Sequence, residues 1–352
     1  MTPDLTLETL ISRIAPLDQH AMQLARARQD TLTKPRGALG RLETISVWLA
    51  GVYGAAQPVI TGKAVIVCAG DHGVTLEGIS PYPSAVTPAM VANFLAGGAG
   101  INAIAQTVGA NVTVLDVGVA VDLEPHPQLV KSKVRLGTGN LMREAAMTRA
   151  EAVQALLAGA RAAQDAVQRG ANLIAPGDMG IGNTTSSSAL TAWFTKKPVR
   201  ELVGRGTGAG DAMLERKIVV IETALERVKP ESALEALCEF GGLEIAAMAG
   251  VMIGAAASRA AVIVDGLIAG AAALVATAIA PPVREYLHAS HLGRERGHAA
   301  QLEFLQLEPL FALDLALGEG TGAALAMPIF ESAARTLSQM ATFDSAAVPD
   351  KS

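Results

Sequence analysis

The apolar positions along the chain follow two patterns. Residues 64–69, 112–118, 173–176 and 262–266 form short and mostly apolar runs, which is typical of buried strands. Between and around them, apolar residues recur every three or four positions in Ala-rich segments, which is the helical period. The predicted helices cover residues 5–29 with a break at Pro16, and residues 42–53, 89–109, 149–169, 186–194, 211–228 and 243–257.

Strands that alternate with helices predict an α/β fold, with a doubly wound, mostly parallel and Rossmann-like sheet. The terminal regions, before about residue 30 and after about residue 290, lack the strand pattern. We therefore expect one functional unit over residues 1–350. It would have a large α/β domain at about 31–290 and a small helical subdomain from residues 1–30 and 291–345.

Each predicted strand carries an acid at or near its end, namely Asp71, Asp116, Asp178 and Asp265. Ligands of open parallel sheets bind beyond the carboxyl ends of the strands. We therefore expect polar side chains from these ends to converge on one crevice.

Composition narrows the functional classes. The 352 residues include 28 basic and 33 acidic side chains, a net charge of −5, and only 3% aromatics. No basic stripe or aromatic platform is present, so nucleic-acid binding has little support. Cys68 and Cys238 lie in apolar sequence without metal-ligand spacing, and we interpret them as buried hydrophobic residues of a cytoplasmic protein.

One uncharged stretch, residues 266–283, imitates a membrane span. Asp265 adjoins it, Gly266 and Gly270 interrupt it, and a Pro-Pro pair ends it. Its Ala richness also makes it less apolar than a Leu-based span. We predict a buried core helix there and no membrane span.

Glu319 is a carboxylate among three glycines in the run LGEGTG, residues 317–322. Glycine lets the backbone approach a ligand closely. A glutamate held between apolar segments is a candidate base. The alternative is a solvated carboxylate in a glycine-rich turn.

The run GDMGIGNTT, residues 177–185, follows a predicted strand and precedes a helix. Asn183, Thr184 and Thr185 offer polar groups at the helix start, where plain N-capping is the alternative. Capping alone would not require Asp178 or three glycines, so we favour a ligand site.

A third run, GRGTG at residues 204–208, precedes a helix that contains Lys217. Glycine amides and a helix N-terminus favour a phosphate. The run fits neither the Walker nor the dinucleotide pattern, and a plain glycine turn is the alternative. No histidine pair has metal-ligand spacing, so a metal site has little support. For His72 we expect a hydrogen-bonding role in its loop, and for His288, His291 and His298 a solvated or hydrogen-bonding one.

These runs form part of an ordered series that extends over nearly the whole chain. It comprises KPRGALGRLE (34–43), GDHG (70–73), VT (86–87), MVANFLAGG (90–98), the runs at 177–185 and 204–208, GGLEIAAMAG (241–250), VDG (264–266), SH (290–291) and GEGTG (318–322). The series resembles the nicotinate-nucleotide:dimethylbenzimidazole phosphoribosyltransferase family.

The resemblance implies transfer of a 5-phosphoribosyl group from nicotinate mononucleotide to a benzimidazole nitrogen, with Glu319 as the base. It makes Asp178 the second carboxylate of the site, where the family often carries glutamate. This departure shortens the reach by one methylene.

The resemblance also assigns the binding residues. Those that hold the nucleotide phosphate would be Gly180, Asn183, Thr184, Gly204, Gly206, Thr207, Gly208 and Lys217, with Arg205 in the same loop. Asp265 would reach a ribose hydroxyl, or alternatively form a strand-end turn. Ser80, Met179 and Leu317 would line the pocket for the aromatic base.

Further expectations from the resemblance are a homodimer and no cofactor, since the leaving group is nicotinate and gives no obvious need for magnesium. Two rival functions remain for comparison. A dinucleotide-dependent oxidoreductase requires a glycine fingerprint after the first strand, which GDHG does not supply. A nucleotide-binding or base-sequestering protein would explain the phosphate loop but not Glu319. The accepted base also stays open among benzimidazoles, adenine and phenols.

Overall fold

The computed structural model describes residues 5–204 and 210–349. Six parallel strands form a single sheet in the order β3-β2-β1-β4-β5-β6 within these residues. Their bounds are β1 Lys63–Gly70, β2 Asn111–Gly118, β3 Leu129–Lys131, β4 Leu173–Met179, β5 Ala261–Val264 and β6 Leu287–Ala289. This is the doubly wound strand order. It places a crevice between β1 and β4, where the order in which successive strands are added to the sheet reverses.

The four predicted strands are confirmed as β1, β2, β4 and β5. The prediction was incomplete for β3 and β6, which are three residues long each. Both lie at the edges of the sheet and carry the short sequences LVK and LHA. Segments this short do not display a readable period.

Fifteen α-helices surround the sheet in the described part of the chain. They are α1 Leu7–Ile11, α2 Gln19–Thr31, α3 Arg41–Tyr53, α4 Val86–Leu95, α5 Gly100–Val108, α6 Arg149–Gln168, α7 Asn183–Thr195, α8 Val199–Leu202, α9 Asp211–Arg227, α10 Ala233–Phe240, α11 Leu243–Ala257, α12 Leu267–Ile279, α13 Arg296–Leu305, α14 Thr321–Gln339 and α15 Phe343–Ala346. Two 3-10 helices, Gly73–Glu77 and Pro281–Tyr286, complete the regular elements of these residues.

The predicted helix at 89–109 is two helices, α4 and α5. Gly97 takes a φ of 78° after α4 ends, and glycine adopts this left-handed backbone without the strain of a side chain. The stretch Val86–Val108 is apolar enough, by length and composition, to qualify as a membrane-crossing helix. Neither of its two halves reaches the roughly 20 residues that a span needs. The uncharged segment after Asp265 is α12, a core helix as predicted, with residues 267–276 buried.

Helix α11 lies at the centre of the core, with Leu243 through Ala256 buried. It contacts β1, β2, β4 and β5 and crosses α6 closely. The crossing depends on glycines, because a β-carbon on Gly250 would overlap the carbonyl of Leu156, and one on Gly159 would overlap that of Ala247. Helices α4, α5 and α14 form a further layer on the sheet.

Helix α14 follows Glu319 and packs against α3, α5, β4 and β5. The region after residue 290 therefore contributes to the helical layer of the sheet. The division into a large domain at about 31–290 and a small helical subdomain remains a prediction.

The close crossing of α6 and α11 is testable with Gly250→Ala. Alanine favours a helix over glycine by about 1 kcal/mol, but here its methyl group would overlap Leu156. We expect the free energy of unfolding to fall by about 1–3 kcal/mol, as overpacking in a core usually costs. Urea denaturation measures the difference.

Gly51→Ala in α3 is the matched control, since its methyl group would meet mainly the flexible side chain of Met22. It should change stability much less. A Gly250→Ala protein at least as stable as wild type would contradict the close crossing.

Candidate active site

A cleft opens at the carboxyl ends of β4 and β5, beside the point where the strand order reverses. Its walls include Asp178, Asn183, Thr184, Asp265, His291, Glu295 and Leu317. Asp178, Asn183, Thr184 and Asp265 therefore lie together as expected. The predicted convergence is wrong for the other two strand-end acids, which are not part of this wall. Asp71 accepts a hydrogen bond from the N–H of Ala120, and Asp116 pairs with Lys133. Leu317 is 58% exposed, so an apolar side chain from the run LGEGTG faces the opening.

Asp265 directly follows β5 and is buried at the N-terminus of α14. Its Oδ1 accepts a hydrogen bond from the backbone N–H of Ala323 at 2.8 Å. Unpaired amides at a helix N-terminus stabilise a carboxylate there. Burial nevertheless raises the pKa of Asp265, while the neighbouring His291 opposes this shift.

His291 lies against Asp265, with Nδ1 at 4.0 Å from Oδ1. Its ring stacks on Phe311 at 5.9 Å between centroids, and burial lowers its pKa. Its Nδ1 also forms a hydrogen bond of 2.8 Å with the hydroxyl of Ser290. The prediction of a hydrogen-bonding role is confirmed, but the residue is buried in the site wall and not solvated.

Asp178 ends β4 as a buried carboxyl group. Its Oδ2 accepts a hydrogen bond of 2.9 Å from Nδ2 of Asn183. Burial raises the pKa of Asp178 to about 8, and the charges of Asp265 and Glu319 contribute to the increase. Gly318 lies so close that a β-carbon on it would sit 2.8 Å from Oδ1 of Asp178. The run LGEGTG therefore packs its backbone directly on the second predicted carboxylate.

Glu319 is 5% exposed and has a φ of 62°, between two glycines that also take positive φ. Its Oε2 accepts a hydrogen bond of 3.0 Å from the backbone N–H of Ile101, in the first turn of α5. Burial raises its pKa, and the charge of Asp265 adds to this effect. The solvated-turn alternative is therefore wrong. Glu319 sits behind the cleft wall formed by its neighbours Gly318 and Thr321.

The structure describes only part of the predicted phosphate site. Lys217 of α9 is 3% exposed, and its Nζ donates a hydrogen bond of 2.7 Å to Oγ1 of Thr184. Burial lowers the pKa of Lys217 to about 8, although Glu295 opposes the shift. A β-carbon on Gly204 would overlap the Glu295 carboxylate, so the start of the glycine run reaches this wall. The predicted residues Arg205, Gly206, Thr207 and Gly208 lie outside the described residues.

Three further predicted residues, Gly180, Met179 and Ser80, are not part of the cleft wall. Gly180 packs on the end of β1, where a β-carbon would overlap the carbonyl of Gly70. Met179 is half-buried, as is Ser80, whose hydroxyl accepts a hydrogen bond of 3.1 Å from the N–H of Tyr82. Their contacts with substrate remain predictions.

Sequence reasoning missed the wall residue Glu295, and it assigned no site role to His291. Both follow the undetected strand β6, so the strand-end rule that found Asp178 and Asp265 could not reach them. A detected sixth strand would have pointed to this segment.

A parallel sheet with carboxylates and a buried amine near its reversal point is typical of an α/β protein that binds a small ligand at this edge. A family profile described as phosphoribosyltransferase matches residues 14–348. The chain belongs to this family, and it is therefore a pentosyl-transferring enzyme.

Relatives with a more specific name cover almost the whole chain. A nicotinate-nucleotide–dimethylbenzimidazole phosphoribosyltransferase of Deinococcus radiodurans is 54% identical, over 97% of this chain and 96% of that protein. One from Chloroflexus aurantiacus is 51% identical, over 98% and 99%. A crystal structure of the enzyme so named from Thermus thermophilus superposes with a TM-score of 0.91 at 48% identity, covering 95% of this chain and 100% of that one.

The raised pKa of Asp178 predicts a pH-dependent stability. Between the ordinary value of 3.8 and about 8, the folded protein binds one proton more than the unfolded chain. The free energy of unfolding contributed by this group therefore falls as pH rises through that window. Asp178→Asn lacks the titration, so its stability relative to wild type should increase between about pH 5 and about pH 8.

Urea unfolding at several pH values measures this change. Asp122→Asn, which alters an exposed carboxylate, is the control and should show no such trend. A constant difference between Asp178→Asn and wild type across the window would contradict the raised pKa.

Proposed function

We propose that this enzyme transfers the 5-phosphoribosyl group of nicotinate mononucleotide to 5,6-dimethylbenzimidazole, giving alpha-ribazole 5′-phosphate and nicotinate. The product would serve assembly of the cobalamin nucleotide loop. One observation carries the proposal: two buried carboxyl groups, Asp178 in the cleft wall and Glu319 just behind it, lie near Thr184, whose hydroxyl accepts a hydrogen bond from the buried amine of Lys217. The names of the relatives support the choice of substrates.

The reaction exchanges one C–N bond for another at the anomeric carbon of the ribosyl group. The bond to the nicotinate nitrogen breaks, and its electron pair stays with nicotinate, which neutralises the pyridinium ring. One benzimidazole nitrogen supplies the pair for the new bond. The other ring nitrogen then carries an acidic N–H, whose proton must leave.

Glu319 takes this proton in the proposal. A general base is most effective when its pKa lies near the working pH, and burial moves Glu319 in that direction. The N–H of Ile101 occupies one carboxylate oxygen and fixes its orientation. The base is thus held in place before the heterocycle binds.

Asp178 is the second carboxyl group on the base side. With a pKa of about 8 it holds a proton near neutral pH. A neutral carboxyl group both donates and accepts hydrogen bonds, so it orients the heterocycle without repelling Glu319. In the proposal Ser80, Met179 and Leu317 contribute to a mainly apolar pocket for the ring, although only Leu317 lines the cleft described above.

In the proposal the nucleotide lies on the side of the cleft near Thr184 and Lys217. Lys217 and Thr184 bind the phosphate together with Gly180, Asn183, Gly204 and the run at residues 205–208. Asp265 lines the cleft and offers its carboxylate to a ribose hydroxyl, although its Oδ1 already accepts from the α14 N-terminus.

We also propose a homodimer in the cytoplasm. The stretch Val86–Val108 contains no charged residue and is largely unburied within this chain, which supports a protein interface. Cys68 and Cys238 are both free thiols, as a reducing compartment permits.

The base role is testable with Glu319→Gln. The amide oxygen can still accept from Ile101, so the α5 N-terminus keeps its partner while the proton acceptor is lost. We expect the transfer rate to fall by about 100-fold to 10,000-fold, and the Kd for nicotinate mononucleotide to stay within about threefold because Glu319 is not among the proposed nucleotide-binding residues. Steady-state kinetics and calorimetry measure the two quantities.

Glu319→Ala is the companion variant, and it should lose stability as well as turnover because Ile101 also loses its acceptor. A base-sequestering protein would show binding without transfer in the wild type. Near-wild-type turnover by Glu319→Gln, or an equal loss of binding and turnover, would exclude the base role.

A second question is which aromatic base the enzyme accepts. It arises because Asp178 stands where the family often carries glutamate. We expect 5,6-dimethylbenzimidazole to win when mixed benzimidazoles, adenine and phenols are offered with nicotinate mononucleotide. Mass spectrometry identifies the ribotides. Asp178→Glu in the same mixture should change the product ratios, and preferential formation of adenine or phenol ribotide by wild type would favour transfer to another base.

A further inference from the structure

His72 lies at the end of β1, where the strand order reverses, and it is 2% exposed. Its Nε2 forms a hydrogen bond of 2.7 Å with Oε1 of Glu244, and its Nδ1 forms one of 3.0 Å with the hydroxyl of Ser186. Glu244 and Ser186 are both fully buried. One imidazole therefore connects three elements that are far apart in the chain, namely β1, α7 and α11.

The Glu244 end of this connection is rigid. Glu244 lies in the first turn of α11, whose N-terminal dipole favours a negative side chain. Two glycines leave the space for its carboxylate. A β-carbon on Gly242 would lie 2.7 Å from Oε1, and one on Gly70 would lie 3.1 Å from Oε2. Because α11 is the central core helix, the Glu244 carboxylate is held in a fixed position.

The Ser186 end reaches the substrate cleft. Ser186 belongs to the first turn of α7, which begins at Asn183, and lies two residues after Thr184. The side chain of His72 also packs against the turn before α7. A β-carbon on Gly180 would lie 3.4 Å from Nε2 of His72, and one on Gly182 would lie 3.2 Å from Cβ of His72. This turn presents Asn183 to Asp178 and Thr184 to Lys217.

We infer that His72 is a positioning residue for the transfer reaction, which holds the Gly180–Thr184 turn against the core through Glu244 and Ser186. It contacts no substrate itself. Asn183 serves the base side and Thr184 the nucleotide side, so one anchor sets the geometry of both. This inference rests on the proposed function for its substrates.

The test compares Ser186→Ala with Ser187→Ala. Both remove one buried hydroxyl from the same turn of α7. Among the described residues the Ser187 hydroxyl has no hydrogen-bond partner, whereas the Ser186 hydroxyl bonds His72. Small displacements of binding groups cost large factors in catalysis. We expect Ser186→Ala to raise the KM of nicotinate mononucleotide and of the base by roughly 10-fold, with Ser187→Ala unchanged.

His72→Gln provides a second route to the same link. The glutamine amide reaches the position of Nε2 and keeps a partner for Glu244, but it leaves Ser186 without one. It should raise both KM values as Ser186→Ala does. The double variant should be no worse than His72→Gln alone, because both changes break one connection.

Melting temperatures and active-site titration separate positioning from simple destabilisation, which lowers the active fraction but leaves KM unchanged. KM values of Ser186→Ala equal to those of Ser187→Ala, or additive effects in the double variant, would overturn the positioning role alone. Wild-type enzyme is assayed in parallel, and an absence of transfer from nicotinate mononucleotide would overturn the proposed function and the inference with it.

Discussion

Burying several carboxylates in one crevice is unfavourable unless each finds a donor or keeps a proton, and this constraint organises the site. Helix N-termini supply much of the compensation. Asp265 accepts from the amide of Ala323 at the start of α14, and Glu319 accepts from Ile101 at the start of α5. Glu244 lies in the first turn of α11 and pairs with His72. Three helices from different parts of the chain therefore point their amide ends toward the reversal point of the sheet.

These donors offset the cost of burial only in part, and the pKa values of two carboxyl groups therefore stay raised. Asp178 accepts from a side-chain amide but not from a helix terminus, and its pKa is raised to about 8. Glu319 keeps a raised pKa despite its amide partner. The site thus combines a carboxyl group that retains its proton near neutral pH with a carboxylate of increased proton affinity. Lys217 shows the corresponding effect for an amine, because burial lowers its pKa while Glu295 opposes the shift.

Close backbone approach makes this arrangement possible. Gly318 brings the run LGEGTG onto Asp178, and Gly180 lets its turn rest on the end of β1. At both positions a larger residue would overlap its neighbours and push the two segments apart. The same principle operates in the core, where Gly250 allows α11 to cross α6 and so places the N-terminus of α11 beneath the site. The packing of the core therefore also influences the geometry of the cleft.

The α/β class, the four longer strands, helix α11, the strand end at Asp178, the glycine-rich run of Glu319 and the helix of Lys217 could all be predicted from the sequence. These features are local, since apolar period and glycine-rich runs can be read within about 20 residues. The sequence did not reveal the edge strands β3 and β6, whose three residues each show no period, or the interruption between α4 and α5. The pairing of each carboxylate with its amide became visible only in the folded structure. The same holds for His72, which bonds both Glu244, 172 residues away in the chain, and Ser186. Such partners are set by the order in which the strands pack, and no local pattern records that order.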